Sequence, residues 1–185
     1  MQEVLQEFEH FFAKLCDHIG EDTNREGLKN TPKRILESFE TLFSGYSQNP
    51  KELLGATFKE GLCDEMVIAK DIEFYSMCEH HLLPFFGHIS IGYIPDKYLA
   101  GISSLARLVE SFARRLQIQE RLTEQIAQCL VETLQPKGVI VVCQAQHLCM
   151  SMRGVHKNPQ IITSALRGLF KRDSKTRTEF MQLIK

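Results

Sequence analysis

The apolar residues of this chain keep two different periods, and the switch near Glu65 restricts it to folds that join helices to a sheet. Before the switch, Val4, Leu5, Phe8, Phe11, Phe12, Leu15 and Ile19 recur three or four apart. Residues 3–19 are therefore predicted as an amphipathic helix, ended by Gly20. A polar connection leads to Thr31-Pro32, a helix start with threonine as cap and proline at the first helical position. Ile35, Leu36, Phe39, Leu42 and Phe43 form the stripe of that helix, and Ser44 to Pro50 reads as a link. Beyond Glu65, Met66 to Tyr75 alternates and is rich in β-branched and aromatic residues, the pattern of a strand. His88 to Ile94 reads as its antiparallel partner. Ser103 is predicted to cap a helix carrying Leu105, Leu108, Val109, Phe112 and Leu116. A second helix carries Leu122, Ile126, Leu130, Val131 and Leu134. Val139 to Cys143 is predicted as a strand buried on both faces, continuing extended into the more polar Gln144 to Met150. Ile161 to Leu166 gives a last strand, and Thr178 to Lys185 a terminal helix. This order is α+β with an antiparallel sheet.

The 185 residues fit one domain, with a helical part over 1–63 and a sheet-and-helix part over 64–185. Lys and Arg number 22 against 23 Asp and Glu, so no general field attracts nucleic acid or anionic lipid. Any anionic partner must be held by a local basic cluster. The longest notable apolar run, Val139 to Cys143, falls far short of the ~20 residues that a membrane helix needs. No secretory or transit segment is expected after Met1, and the six cysteines are scattered. That places free thiols in a reducing, cytoplasmic setting.

Chemistry concentrates at Cys78-Glu79-His80-His81, directly after a strand. A thiolate and an imidazole three residues apart can close on one metal across a tight turn, and sulfur with nitrogen favours zinc (Zn2+). His147-Leu148-Cys149 is the best remaining donor pair. In an extended chain, residues two apart face the same way, so both would point into one site. If Cys78, His81 and Cys149 are ligands, a fourth position stays open, as in a catalytic site. His80 and His147 would then be unligated imidazoles suited to moving protons. Equally, His147 could close a purely structural site, and Cys149 could be a core thiol like Cys143.

The local sequence resembles a known family. Ser76-Met77-Cys78-Glu79-His80-His81-Leu82-Leu83-Pro84-Phe85-Phe86-Gly87 is similar to the signature of GTP cyclohydrolase I. Gly92-Tyr93-Ile94-Pro95 and Gln117-Ile118-Gln119-Glu120-Arg121-Leu122-Thr123 agree in order and spacing. So do Gln146-His147-Leu148-Cys149-Met150-Ser151-Met152-Arg153-Gly154-Val155, and Asn30-Thr31-Pro32-Lys33-Arg34 is family-like too. The resemblance covers residues 22–183. It implies conversion of GTP and water to 7,8-dihydroneopterin triphosphate and formate, the entry to folate and other pterins.

The same resemblance makes Cys78, His81 and Cys149 the zinc ligands, with water activated there attacking guanine carbon-8. It makes His147 the proton donor to the imidazole ring of the base and His80 a second proton-transfer histidine. Ser103 would stand near the ribose. Glu120 would read guanine through its ring nitrogen and amine, with Gln119 supporting the same edge. Arg34, Arg107 and Arg153 would bind the triphosphate with planar donor forks. One departure stands out: where the family usually has a phosphate-contacting lysine, this chain has Ser104, and Lys97 or another subunit's base would have to substitute. The implied architecture is the tunnelling fold, an antiparallel four-stranded sheet with two helices inserted between hairpins, preceded by amino-terminal helices. It assembles as a homodecamer whose sites are shared between subunits, Glu120 and some arginines coming from neighbours of the zinc-bearing chain. Two other readings remain beside it: an enzyme that stops early or makes a different pterin, and a non-catalytic nucleotide-binding protein with a structural zinc.

Overall fold

In the computed structural model, residues 2–55 and 57–185 are described. In chain order they form α1 (Gln2–Ile19), α2 (Thr31–Leu42), a 3-10 turn (Ser44–Ser47), α3 (Pro50–Leu53), β1 (Thr57–Phe58), β2 (Val67–Cys78) and β3 (Pro84–Ile94). There follow β4 (Leu99–Ala100), α4 (Ile102–Ala113), β5 (Leu116–Gln117), α5 (Gln119–Leu134), β6 (Gly138–His147) and α6 (Leu148–Ser151). The chain ends in β7 (Ile161–Gly168), α7 (Leu169–Arg172) and α8 (Ser174–Leu183).

Two compact units result, one ending at Ser44 and the other spanning Gly45–Lys185. The break thus lies well before residue 63. Its cause is local: the Gly45 amide donates to the Arg114 carbonyl at 3.0 Å, and Leu54 is buried in the core of the sheet-bearing unit. In the first unit α1 packs on α2, burying Cys16. Thr31 does not cap α2. It is the first helical residue, and its hydroxyl donates to the Gly27 carbonyl at 3.3 Å, while Asn30 holds the cap position.

In the second unit, β2, β3, β6 and β7 are antiparallel neighbours in that order. The four-stranded sheet expected from the sequence gains a fifth strand, because β5 pairs parallel with the end of β2 through Met77↔Leu116 and Cys78↔Gln117. The chain passing from α4 to α5 must cross the end of β2, and there the Glu79 amide donates to the Gln117 carbonyl at 3.0 Å. One sheet face buries Phe74, Phe85, Ile89, Ile91, Val139, Val141 and Cys143 with Leu105, Leu108, Leu122, Ile126 and Leu130. Ile140 and Val142 face the other side, packed with Phe170, Phe180 and Ile184. The unbroken apolar run of β6 is therefore a strand covered on both faces.

Gly87 shows how closely β3 and β6 approach. A Cβ there would lie 1.9 Å from the Gln144 backbone carbonyl on the adjoining strand, an atom that cannot give way. We expect Gly87→Ala to cost about 1–3 kcal/mol, read as a lowered thermal midpoint. An unchanged midpoint would show that β3 and β6 can separate without loss.

Candidate active site

The β2–β3 connection folds back on Cys78. The Cys78 amide donates to the Leu83 carbonyl at 2.9 Å, and the amides of His81 and Leu82 donate to the Cys78 carbonyl at 3.3 and 2.9 Å. Leu82 takes a left-handed conformation (φ 53°), which costs an L-residue roughly 1–2 kcal/mol and allows so tight a return. His81 Nδ1 then stands 3.8 Å from Cys78 Sγ, and His80 Nδ1 stands 3.9 Å from it. Cys149 supplies a second sulfur. Donor atoms of Cys78, His81 and Cys149 all lie within 4.8 Å of one another, and no other such group occurs among the described residues. Burial and the neighbouring Cys78 sulfur push the Cys149 thiol up, and a bound cation would favour its thiolate.

The route by which Cys149 arrives differs from the expectation. β6 ends at His147, and α6 begins at Leu148, so His147 and Cys149 do not share an extended face. The Ser151 hydroxyl donates to the His147 carbonyl at 3.2 Å and the Met152 amide to the Leu148 carbonyl at 3.1 Å, bonds that favour a helical turn over extension. His147 comes from the strand and Cys149 from the turn.

His147 is half-buried. Its ring stacks on Phe85 with centroids 4.8 Å apart and planes 3° from parallel, a contact that follows from the register pair Phe85↔His147. Burial pushes its pKa down, and the Glu120 carboxylate opposes that shift. His147 Nε2 lies 2.8 Å from Gln119 Oε1. Gln119 is only 1% exposed, and its amide nitrogen reaches the carbonyls of Cys143 (3.1 Å) and Ile161 (3.0 Å) and the Thr163 hydroxyl (3.2 Å). It is a buried strut rather than a free reader of a ligand edge. Glu120, beside it in the first turn of α5, is exposed. Its charge is felt by both His147 and Cys143 of the same chain. Burial pushes the Cys143 thiol up to about 12, leaving it an inert core group.

Glu79 and Arg121 form a paired ion bridge, Oε2 to Nη1 at 2.5 Å and Oε1 to Nη2 at 3.0 Å. Arg121 holds the Glu79 carboxyl below its usual range. The pair ties the Cys78–His81 turn to the start of α5, where Gln119 and Glu120 stand. Both residues lie inside the motif blocks, yet nothing in their spacing marks them as partners. Arg153 is exposed and reaches His81, Nη1 to Nε2 at 3.2 Å.

Two expected residues, Ser103 and Arg107, are not brought to this cluster. Ser103 and Arg107 sit one turn apart on the exposed side of α4. The opposite end of α4 leads to β5 beside Cys78. Eleven residues separate Ser103 from Arg114, roughly 16 Å of helix axis. Ser103 does not cap α4; Gly101 does, and Ser103 lies within the helix. Arg34 is exposed on α2 in the other unit. Ser104 is buried at 3% exposure, and Lys97 is engaged elsewhere, its ammonium donating to Gln135 Oε1 at 2.7 Å.

The model of the GTP cyclohydrolase I family matches residues 8–185. GTP cyclohydrolase 1 of Helicobacter hepaticus is 62% identical over 175 residues, 95% of this chain and 85% of that protein. The protein of the same name in Wolinella succinogenes is 62% identical over 174 residues, covering 94% and 93%. That of Helicobacter acinonychis is 60% identical over 178 residues, covering 96% and 99%.

Proposed function

This chain belongs to the GTP cyclohydrolase I family, and we infer that it is a hydrolase converting GTP and water to 7,8-dihydroneopterin triphosphate and formate. The observation that carries the reading is one cluster holding two thiols and an imidazole, with a half-buried histidine, two residues from Cys149, held by Gln119. Zinc suits the donor set: tetrahedral bonds of ~2.0–2.3 Å put donors roughly 3.5–3.8 Å apart, near the 3.8 Å between Cys78 Sγ and His81 Nδ1. Cys78, His81 and Cys149 would hold the ion. When bound, it supplies Lewis acidity that makes hydroxide available near neutral pH.

The chain's own residues do the rest. Glu120 accepts two hydrogens from the ring nitrogen and exocyclic amine of guanine, a pair that adenine cannot offer. His147 exchanges a proton with the imidazole ring of the base, and His80, close to Cys78 and exposed, serves later proton transfers. Arg153 reaches His81, and its guanidinium would offer paired donors to a triphosphate.

Ser103, Arg107 and Arg34 complete the reading as contributions to a neighbour's site. The length of α4 supports this for Ser103 and Arg107, which lie far from their own chain's cluster. A shared site fits the tunnelling fold and a homodecamer, in which β7 and β5, the two edge strands, meet edges of neighbouring sheets. Six free thiols fit a reducing cytoplasm, and no helix among the described residues is long and apolar enough to cross a membrane. Nucleic acid and membrane are not partners in this reading.

The test is direct. Metal-loaded protein incubated with GTP should release formate together with a product that oxidises to fluorescent neopterin. Formate without neopterin would replace this reading with a shortened reaction. Neither product would leave a binding protein with a structural metal.

A further inference from the structure

The hydrogen bonds around Gln119 have only one consistent direction. Its amide nitrogen faces two backbone carbonyls, of Cys143 and Ile161, and carbonyls only accept. A flipped amide would set its oxygen against both, inside a residue that is 1% exposed. The nitrogen is therefore on that side, and Oε1 is on the side of His147, 2.8 Å from Nε2. An amide oxygen also only accepts, so Nε2 must carry a hydrogen.

The rest of the network locks this arrangement. The Thr123 hydroxyl donates to the Gln119 backbone carbonyl at 2.8 Å. Thr163, 2.7 Å from the Thr123 hydroxyl, must then donate to it, which leaves the Thr163 oxygen free to accept from Gln119 Nε2 at 3.2 Å. The two amide hydrogens are shared among three acceptors, the carbonyls of Cys143 and Ile161 and the Thr163 hydroxyl, and the strut spans α5, β6 and β7. Stacking on Phe85 sets the plane of the ring.

We propose that Gln119 is a positioning residue that fixes the His147 ring with Nε2–H on Gln119 Oε1, so that Nδ1 is the ring nitrogen left to face the substrate. Nε2 cannot relay a proton onward, because the amide behind it has no basic site. The inference rests on the reading of His147 as a proton-transfer group, and it reassigns Gln119 from the guanine edge to the histidine.

The tautomer can be read without turnover. Magic-angle-spinning NMR of metal-loaded protein labelled with 15N-histidine, with a His147→Asn spectrum for assignment, should show neutral His147 protonated at Nε2 and bare at Nδ1. The opposite tautomer overturns the proposal. In kinetics, Gln119→Leu should lower kcat about 10–100-fold, with KM for GTP changed less than about twofold. An unchanged kcat, or a KM that rises as far as kcat falls, also overturns it. Gln119→Glu should recover most of the loss, because a carboxyl between two carbonyls stays protonated, donates to one and still accepts from His147. Failure of this variant to exceed Gln119→Leu counts against the proposal, and should Gln119→Leu not fold, the wild-type spectrum and Gln119→Glu decide. Full turnover in His147→Asn would instead remove the reading of His147 as a proton-transfer group, whatever tautomer the spectrum shows.

Discussion

Cys149→Ala protein will emerge without bound metal and will release no measurable formate from GTP. The three donors stand within 4.8 Å of one another, and two of them, Cys78 and His81, come from a single tight turn. Cys149 is the one that joins this turn to the far end of β6 through α6. Without it the ion keeps two protein ligands, too few to compete with water and buffer for a borderline-soft cation. The fold should survive, since Cys149 sits at the margin of the core and alanine suits a helical turn. Metal content by mass spectrometry, measured beside formate release and far-UV circular dichroism, checks all three points. A folded variant with full metal and full activity would refute the ligand assignment.

His147→Asn should behave in the opposite way, keeping its metal while turnover falls about 10²–10⁴-fold, the range for loss of a positioned acid or base. The reason lies in where His147 points. Its Nε2 is engaged by Gln119 and its ring lies flat on Phe85, so it is held by the sheet and by α5, not by the cluster. Asparagine keeps a polar group in this half-buried place but has no nitrogen that titrates near neutral pH. Metal lost together with activity would make His147 a ligand.

Much of this was legible in the residues, and what was not has physical reasons. Long elements announced themselves by period: α5 through Leu122, Ile126 and Leu130, and β6 through its doubly buried apolar run. The metal turn was legible because a Cys and a His three apart after a strand leave the backbone few options. The helical turn at Leu148–Ser151 was not, because a four-residue polar segment carries no period, and its conformation is decided by the hydrogen bonds of Ser151 and Met152. The buried place of Gln119 was illegible for a related reason. Only the carbonyls of Cys143 and Ile161, brought from 24 and 42 residues away, make it a buried strut. The unit boundary hid as well, since Gly45 joins the sheet-bearing unit through one backbone bond to Arg114 that no side-chain pattern records.

The struts of His147 and the donors of the metal cluster belong to different parts of the chain. Gln119, Thr123 and Thr163 hold the histidine from α5 and β7, while the cluster hangs on two turns joined to the helix by Glu79 and Arg121. Losing the ion would leave the histidine's bearings untouched. The polypeptide can therefore be finished as a fold before it is finished as a catalyst.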